Sequence, residues 1–347
     1  RWIIAIFLYP LLGHTGAVEV EELPSMPEPV SNNAVALLDW ADGIRLYSFQ
    51  GLAEGKTYAD IHNRSWALRP GAEEWNSVQD VPADEGRLAG VAVTVGTTIY
   101  VFGGYTVAED GSEVSAPEVF RFERAGVQFA HVSNMPVPVD DMTAFVYQDR
   151  YIYLVSGWHD IGNVNLVQVL DTRSHRWSQA MPFPGAPVFG HAGGMSGSRM
   201  LVCDGVKISY PADDSPRQFV MSDECWLGEI DAGDHRRIRW QSVAPHPGPA
   251  RYRAGSVSDD DGRVVFAGGT GNPYNFDGVG YDGIPSEPLA EVFRFNLESL
   301  EWESGWSLKE PGMDHRGMLF HDGWFYLAGG MLSGQEVTGR VIRFRLQ

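Results

Sequence analysis

Ile99-Tyr100-Val101-Phe102-Gly103-Gly104 is a short hydrophobic run that closes on a glycine pair, and the chain repeats it. Five other stretches have the same form: LYSFQG ending at Gly51, IYLVSG at Gly157, MLVCDG at Gly205, VVFAGG at Gly269 and FYLAGG at Gly330. The steps between the six closing glycines are 53, 53, 48, 64 and 61 residues. Apolar runs this short have the length of buried strands, and no amphipathic pattern of helical period separates them. Self-similarity at a fixed period marks a repeat of small supersecondary units rather than one core. That also resolves the length: 347 residues are many for a single core, whereas an array of small sheets buries each face against a neighbour.

Each copy has the same order of parts. An innermost strand comes first, such as Leu88 to Val95, and the second strand ends at the glycine. A variable loop leads to a third strand: EVFRFE at 118–123, VQVLD at 167–171, CWLGEID at 225–231, EVFRFN at 291–296 and VIRFRL at 341–346. Some six residues on stands an aromatic (Trp75, Phe129, Trp177, Trp240, Trp302), and a proline usually closes the unit, as in Val81-Pro82 and Met135-Pro136. Glycine lets backbones approach and turn where a Cβ would clash. The tryptophan wedges between neighbouring sheets and buries a large apolar area. The last copy stops after its third strand, and Val18 to Pro27 (VEVEELPSMP) has the character of an outer strand with its closing proline turn. It is expected to complete the sixth unit, pairing the two ends of the chain and removing both exposed edges. The expectation is an all-β propeller of six blades, four antiparallel strands each, in a single domain over residues 18–347.

The glycine pair, the downstream aromatic and the period of about fifty residues resemble kelch-repeat β-propellers over essentially the whole of that domain. The pair is intact at 103–104, 268–269 and 329–330 and has drifted to Gln50-Gly51, Ser156-Gly157 and Asp204-Gly205. The resemblance implies fold more firmly than function. Kelch propellers serve as protein-binding modules, as galactose-oxidase-type catalytic domains and as a bacterial exported sialic acid mutarotase. The copper-radical chemistry of galactose oxidase needs a Cys–Tyr cross-link, a second Tyr and two His ligands, and nothing here is spaced to match.

A net charge of −19 speaks against nucleic acid and anionic membrane surfaces as partners. At the N-terminus, ten mostly apolar residues (Ile3 to Leu12) follow Arg1 and precede His14-Thr15-Gly16-Ala17. This resembles the end of a secretory signal peptide cleaved after Ala17, too short to span a membrane, and it points to a periplasmic or extracellular protein. The alternative is a buried N-terminal strand. The two cysteines, Cys203 and Cys225, close the second strand and open the third strand of the fourth repeat. Antiparallel pairing would set them opposite each other, within reach of a disulfide in an oxidising compartment.

The loops entering the innermost strands and leaving the second strands share one face of a propeller, around the channel mouth. Residues entering the innermost strands are Asn32 and Asn33, Arg87, Asp140 to Met142, His191, Arg253 and Arg316. Three arginines converging there would form a cationic pocket suited to a carboxylate, phosphate or sulfate; the alternative is that they tie strand ends together. His191, Asp141 and Asp160 are the titratable candidates for acid–base work beside them. Trp158 and His159 project onto the same face. The long loop Asn272 to Pro288 carries Tyr274, Phe276 and Tyr281 among carboxylates and amides, a composition suited to sugar rings and equally to a protein-binding face. Neither a metal site nor a cofactor is expected, since no ligand spacing or cofactor motif is present.

Taken with the resemblance, these residues imply an exported propeller that binds a small, acidic carbohydrate at the channel mouth. Arg87, Arg253 and Arg316 would hold the acid, with Asn33, Trp158, His159, Tyr274 and Tyr281 around it. Resemblance to the mutarotase implies cofactor-independent anomer interconversion, with His191, Asp141 and Asp160 moving protons. The rival reading is a non-catalytic module whose same face grips a protein or a polysaccharide.

Overall fold

The computed structural model describes residues 16–124, 128–212 and 216–347. The leader expected over residues 1–17 lies outside the described residues up to position 15. Six four-stranded antiparallel sheets follow one another around a channel as the blades of a propeller. Their innermost strands are Ala34–Trp40, Val91–Val95, Thr143–Tyr147, Ala192–Ser196, Gly255–Ser258 and Leu319–His321. In the first five blades the chain steps outward strand by strand. The sixth takes Leu319–His321, Trp324–Ala328 and Val341–Leu346 from one end of the chain and Val18–Leu23 from the other. Val18 pairs with Leu346 and Leu23 with Val341, so the expected closure is made. Glu19–Arg345, Glu21–Arg343 and Glu22–Arg340 ion pairs, each at 2.6 Å, run along that seam.

The aromatics at the blade rims act as wedges. Trp75 donates to the Pro24 carbonyl at 2.8 Å, Trp177 to Ser133 Oγ at 3.0 Å and Trp302 to the Ala244 carbonyl at 2.7 Å. Each therefore ties its blade back to the end of the preceding one and fills the space between two sheets. Core clusters accordingly mix residues of adjacent blades, as Phe49 and Val81 do with Val101 and Phe122. Among the described residues no helix is long and apolar enough to cross a membrane.

Both positions of the glycine pair have positive φ in all six repeats. At the second, glycine is obligatory: a Cβ on Gly104 or Gly330 would stand 2.5 Å from the carbonyl oxygen of Leu88 or Met313. The first position accepts a side chain where that side chain finds work. Gln50 donates to Asn63 Oδ1 at 3.2 Å, Ser156 to the Val188 carbonyl at 2.9 Å, and Asp204 meets His246 Nε2 at 2.8 Å. Beyond the pair, hairpins at 105–115, 158–163, 206–221 and 331–337 and the loop 269–288 rise on one face. Cys203 and Cys225 lie directly in register at the foot of the 206–221 hairpin, and a disulfide joins them.

Candidate functional site

One residue beyond the second glycine, each blade makes a lone bridge to the strand entry of the same blade. The pairs are Ser31–Leu52, Leu88–Tyr105, Asp140–Trp158, Phe189–Val206, Tyr252–Thr270 and Met313–Met331. The residue after the first member of each pair is Asn32, Ala89, Asp141, Gly190, Arg253 or Asp314, and all six have φ between 52° and 67°. Backbone bonds link consecutive members, Asp141 N to Ala89 O, Gly190 N to Asp141 O and Arg253 N to Gly190 O. A left-handed residue at the narrowest point of six converging blades gathers its side chain with its neighbours around the channel. For an arginine that backbone is uncommon, and it persists because the surroundings hold it.

Four of those side chains, with Arg316 and Tyr274, form one buried network. Arg253 donates to Asp141 Oδ2 at 2.6 Å and to Asp314 Oδ1 at 3.1 Å. Arg316 pairs with the other Asp141 oxygen and donates through Nε to Asn32 Oδ1 at 3.0 Å. Asp314 also accepts from Asn32 Nδ2 at 2.7 Å and from the Tyr274 hydroxyl at 2.9 Å. Tyr252 and Tyr274 flank the Arg253 guanidinium at 4.7 and 5.0 Å. Every ionic side chain here is at most 3 % exposed. Two guanidiniums and two carboxylates cancel, as burial requires. Burial alone would raise the Asp141 carboxyl, but the Arg253 and Arg316 charges hold it below the usual carboxylate range. Its neighbour Asp140 lacks such partners: burial, reinforced by the Asp141 charge, pushes its carboxyl well up.

Beneath this floor the channel opens into a cavity of about 440 Å³, walled by the inner strands of all six blades. Its closed end carries Asp141, His191, His315 and Arg316; its far end reaches Asp39, Gly96 and Ser258 near the hairpin turns of the opposite face. The wall between mixes aliphatic side chains (Val93, Val146, Met195, Val257) with polar groups that bond across blades. Thr94 donates to the Leu37 carbonyl at 2.6 Å and Ser256 to the Gly193 carbonyl at 2.8 Å. His191 donates through Nε2 to the Val155 carbonyl at 3.0 Å and lies 3.0 Å from Thr143 Oγ1. Burial lowers both His191 and His315 to about 4, so both are neutral at physiological pH.

No family model matches the chain. Kelch domain-containing protein 3 of Rattus norvegicus and its namesake of Mus musculus are each 24% identical over 181 residues, 48% of this chain and 44% of theirs. The chain thus spans under half the length of these curated relatives. The solved structure of YjhT is similar with a TM-score of 0.72 at 16% identity, covering 94% of this chain and 99% of that one. The chain has the fold of a six-bladed β-propeller, and its repeats are similar to those of kelch proteins.

Within this propeller the sequence-predicted site residues part company. Asp141, His191 and Arg316 do meet at the closed end of the cavity, where Asp141 and Arg316 are part of the charged floor itself. The three-arginine pocket does not form. Arg87 reaches outward to Glu118 at 2.8 Å and lies over Phe120, as Arg251 does with Glu291 and Phe293. It ties strand ends together, and Arg253 and Arg316 are already neutralised by Asp141 and Asp314. Asn33 bonds Ser48 and the Ala328 carbonyl, also a strand tie. Tyr274 is fully buried as a donor to Asp314, so it offers no face to a ligand. Asp160 stays on the loop side, 3.8 Å from His159 and accepting from Ser115 N, apart from the cavity wall that Asp141 and His191 share. Trp158 packs on Phe189 and Phe219, and Tyr281 stacks on Phe219 at 3.9 Å.

Sequence reasoning missed Asp314, His315, Tyr252 and the role of Asn32. The signal was available: these residues hold, or adjoin, the same slot after the bridge in each repeat. Arg87 occupies the position of Arg251, two places earlier, which is why it never reaches the channel.

Proposed function

We propose that the channel cavity is a binding site for an uncharged, carbohydrate-sized molecule that enters from the face opposite the long loops. The observation that carries this is a cavity of about 440 Å³, open toward that face, whose inner end bears Asp141, Arg316, His191 and His315. That volume lies in the range of small-ligand sites, and polar groups with shifted pKa values converge on its end. Because the guanidiniums are already paired, an acidic sugar gains no free cation, and the balance favours hydroxyl groups over a carboxylate. Anomer interconversion would need a base. Asp141, held ionised by two arginines, and His191, at about 4, are both weak ones at neutral pH, so binding without fast turnover is expected. Export to an oxidising compartment belongs to the same reading and is supported by the Cys203–Cys225 disulfide.

Saturation-transfer proton NMR with freshly dissolved neutral and acidic sugars tests this. Neutral sugars should give transfer signals that a channel-filling Val93→Trp variant abolishes, with anomeric drift unchanged. Accelerated drift would establish mutarotation in place of simple binding. Signals that survive Val93→Trp would exclude the channel site, and signals from acidic sugars alone would exclude an uncharged ligand.

A further inference from the structure

The loop face carries a second surface that the channel does not explain. Ten large hydrophobic side chains are exposed among the described residues, and eight of them stand on the segments that follow the second strands. Six of the eight are Val114, Ile161, Tyr210, Val220, Tyr281 and Ile284, with Ile161 79% and Ile284 61% exposed. Soluble surfaces scatter such residues singly; concentration on one face of one end is the mark of a contact surface.

These segments form a continuous collar. Ser115 N donates to Asp160, Arg217 to the Ile161 carbonyl at 2.6 Å, and Gln335 to the Ser286 carbonyl at 2.9 Å. The Phe219–Tyr281 stack joins the fourth and fifth blades, and Lys56 donates to the Gln335 carbonyl at 2.9 Å to join the sixth to the first. Hence five of the six junctions between blades are laced at this level, and the apolar residues share a common, braced rim.

Charge says what the rim would meet. Over 53–60, 104–117, 157–166, 205–212, 216–224, 269–288 and 330–340 the chain has 12 Asp or Glu against four Lys or Arg, while the whole chain has 45 against 26. The four cations are occupied: Lys56 on Gln335, Lys207 beside Glu224, Arg217 over Trp158 and Arg340 on Glu22. Acids such as Glu109, Glu113, Asp282 and Glu287 remain exposed between the apolar residues. We infer that the collar docks a protein segment that is basic and carries aliphatic or aromatic anchors, its cations meeting the acids and its apolar side chains meeting Ile161 and Ile284. The charged floor separates this surface from the channel, so the inference stands independently of the channel ligand.

The probe is a fluorescein-labelled peptide of alternating Lys and Leu with one Trp, beside the same peptide with Glu for Lys, followed by fluorescence anisotropy on the full chain at physiological salt. The basic peptide should bind saturably and the acidic one should not. Simple attraction to an acidic protein would give the first result as well, so the apolar residues decide. Ile161→Ser with Ile284→Ser should weaken binding at least about tenfold, whereas Met181→Ser with Leu300→Ser, exposed apolar residues away from the collar, should leave it unchanged. Equal losses in the two double variants, equal binding of the two peptides, or no binding of the basic one would overturn the proposal. Hydrogen exchange of the bound state gives a second readout, with protection expected in 104–117, 157–166 and 269–288.

Discussion

A left-handed slot repeated six times explains how side chains as unlike as Asn32, Ala89, Asp141, Gly190, Arg253 and Asp314 come to share one place. Backbone geometry is common to all six, and only the side chain varies. Four polar members at the narrowest point then had to balance in charge, which they do with help from Arg316 and Tyr274. Arg253 and Arg87 look alike in sequence, each an arginine entering an innermost strand, but their loss should differ severalfold in cost. Arg253→Met leaves two fully buried carboxylates short of a partner and should cost about 3–5 kcal/mol. Arg87→Met loses a pair whose Glu118 partner is 35% exposed, and should cost roughly 1 kcal/mol or less. Denaturant unfolding of the two variants checks this, and comparable losses would contradict the assignment of Arg253 to a charged floor. The difference was not legible in sequence, because a two-residue offset within a loop decides whether an arginine reaches the channel or the neighbouring strand. The obligate second glycine was legible, because the constraint on it is a backbone clash that no substitution relieves.

At the scale of strands and hairpins, periodicity carried nearly everything that a strand ladder enforces. VQVLD at 167–171 and VIRFRL at 341–346 are strands with those bounds, since alternation and burial on both faces specify register directly. The innermost strand of the second blade begins only at Val91; Leu88, Ala89 and Gly90 belong to the bridge and turn that shape the slot. Loop hairpins were less legible, because their pairing depends on contacts between blades rather than on local pattern. The 206–221 hairpin illustrates what fixes such a loop: its foot is the Cys203–Cys225 disulfide, closing 22 residues. A loop of that size contributes about 3 kcal/mol through the unfolded state. Protein made under oxidising conditions should therefore show no reactive thiol in denaturant before reduction and two after it. The Cys203→Ala, Cys225→Ala pair should melt several degrees lower. Two thiols reacting before reduction would show that the bridge does not form.

For the whole molecule the decisive event is closure, because a ring of blades has no independent core and each sheet relies on both neighbours. Only the sixth blade is built from distant parts of the chain, so its outer strand is held by six residue pairs and three ion pairs rather than by a covalent connection to its neighbours. Trp75 of the first blade donates to Pro24 and Met26 N to the Gly339 carbonyl, so the same segment also seals the seam between the first and sixth blades. A chain beginning at Val18 keeps every one of these contacts and should melt as the full chain does. Starting at Pro24 removes the outer strand, uncovers the edge of Val341–Leu346, and takes the cover from one side of Val341, Ile342 and Phe344. An unpaired, largely apolar edge of this kind pairs with other copies. The shortened chain should therefore melt about 10 °C lower or more and elute as aggregates, while reversing Glu19, Glu21 and Glu22 to Lys should cost less, since exposed ion pairs contribute little each. Calorimetry and size-exclusion chromatography on the two truncations separate these outcomes. A Pro24 start that stayed monomeric with an unchanged melting temperature would mean that five complete blades and one incomplete one suffice, and that closure through Val18–Leu23 is dispensable.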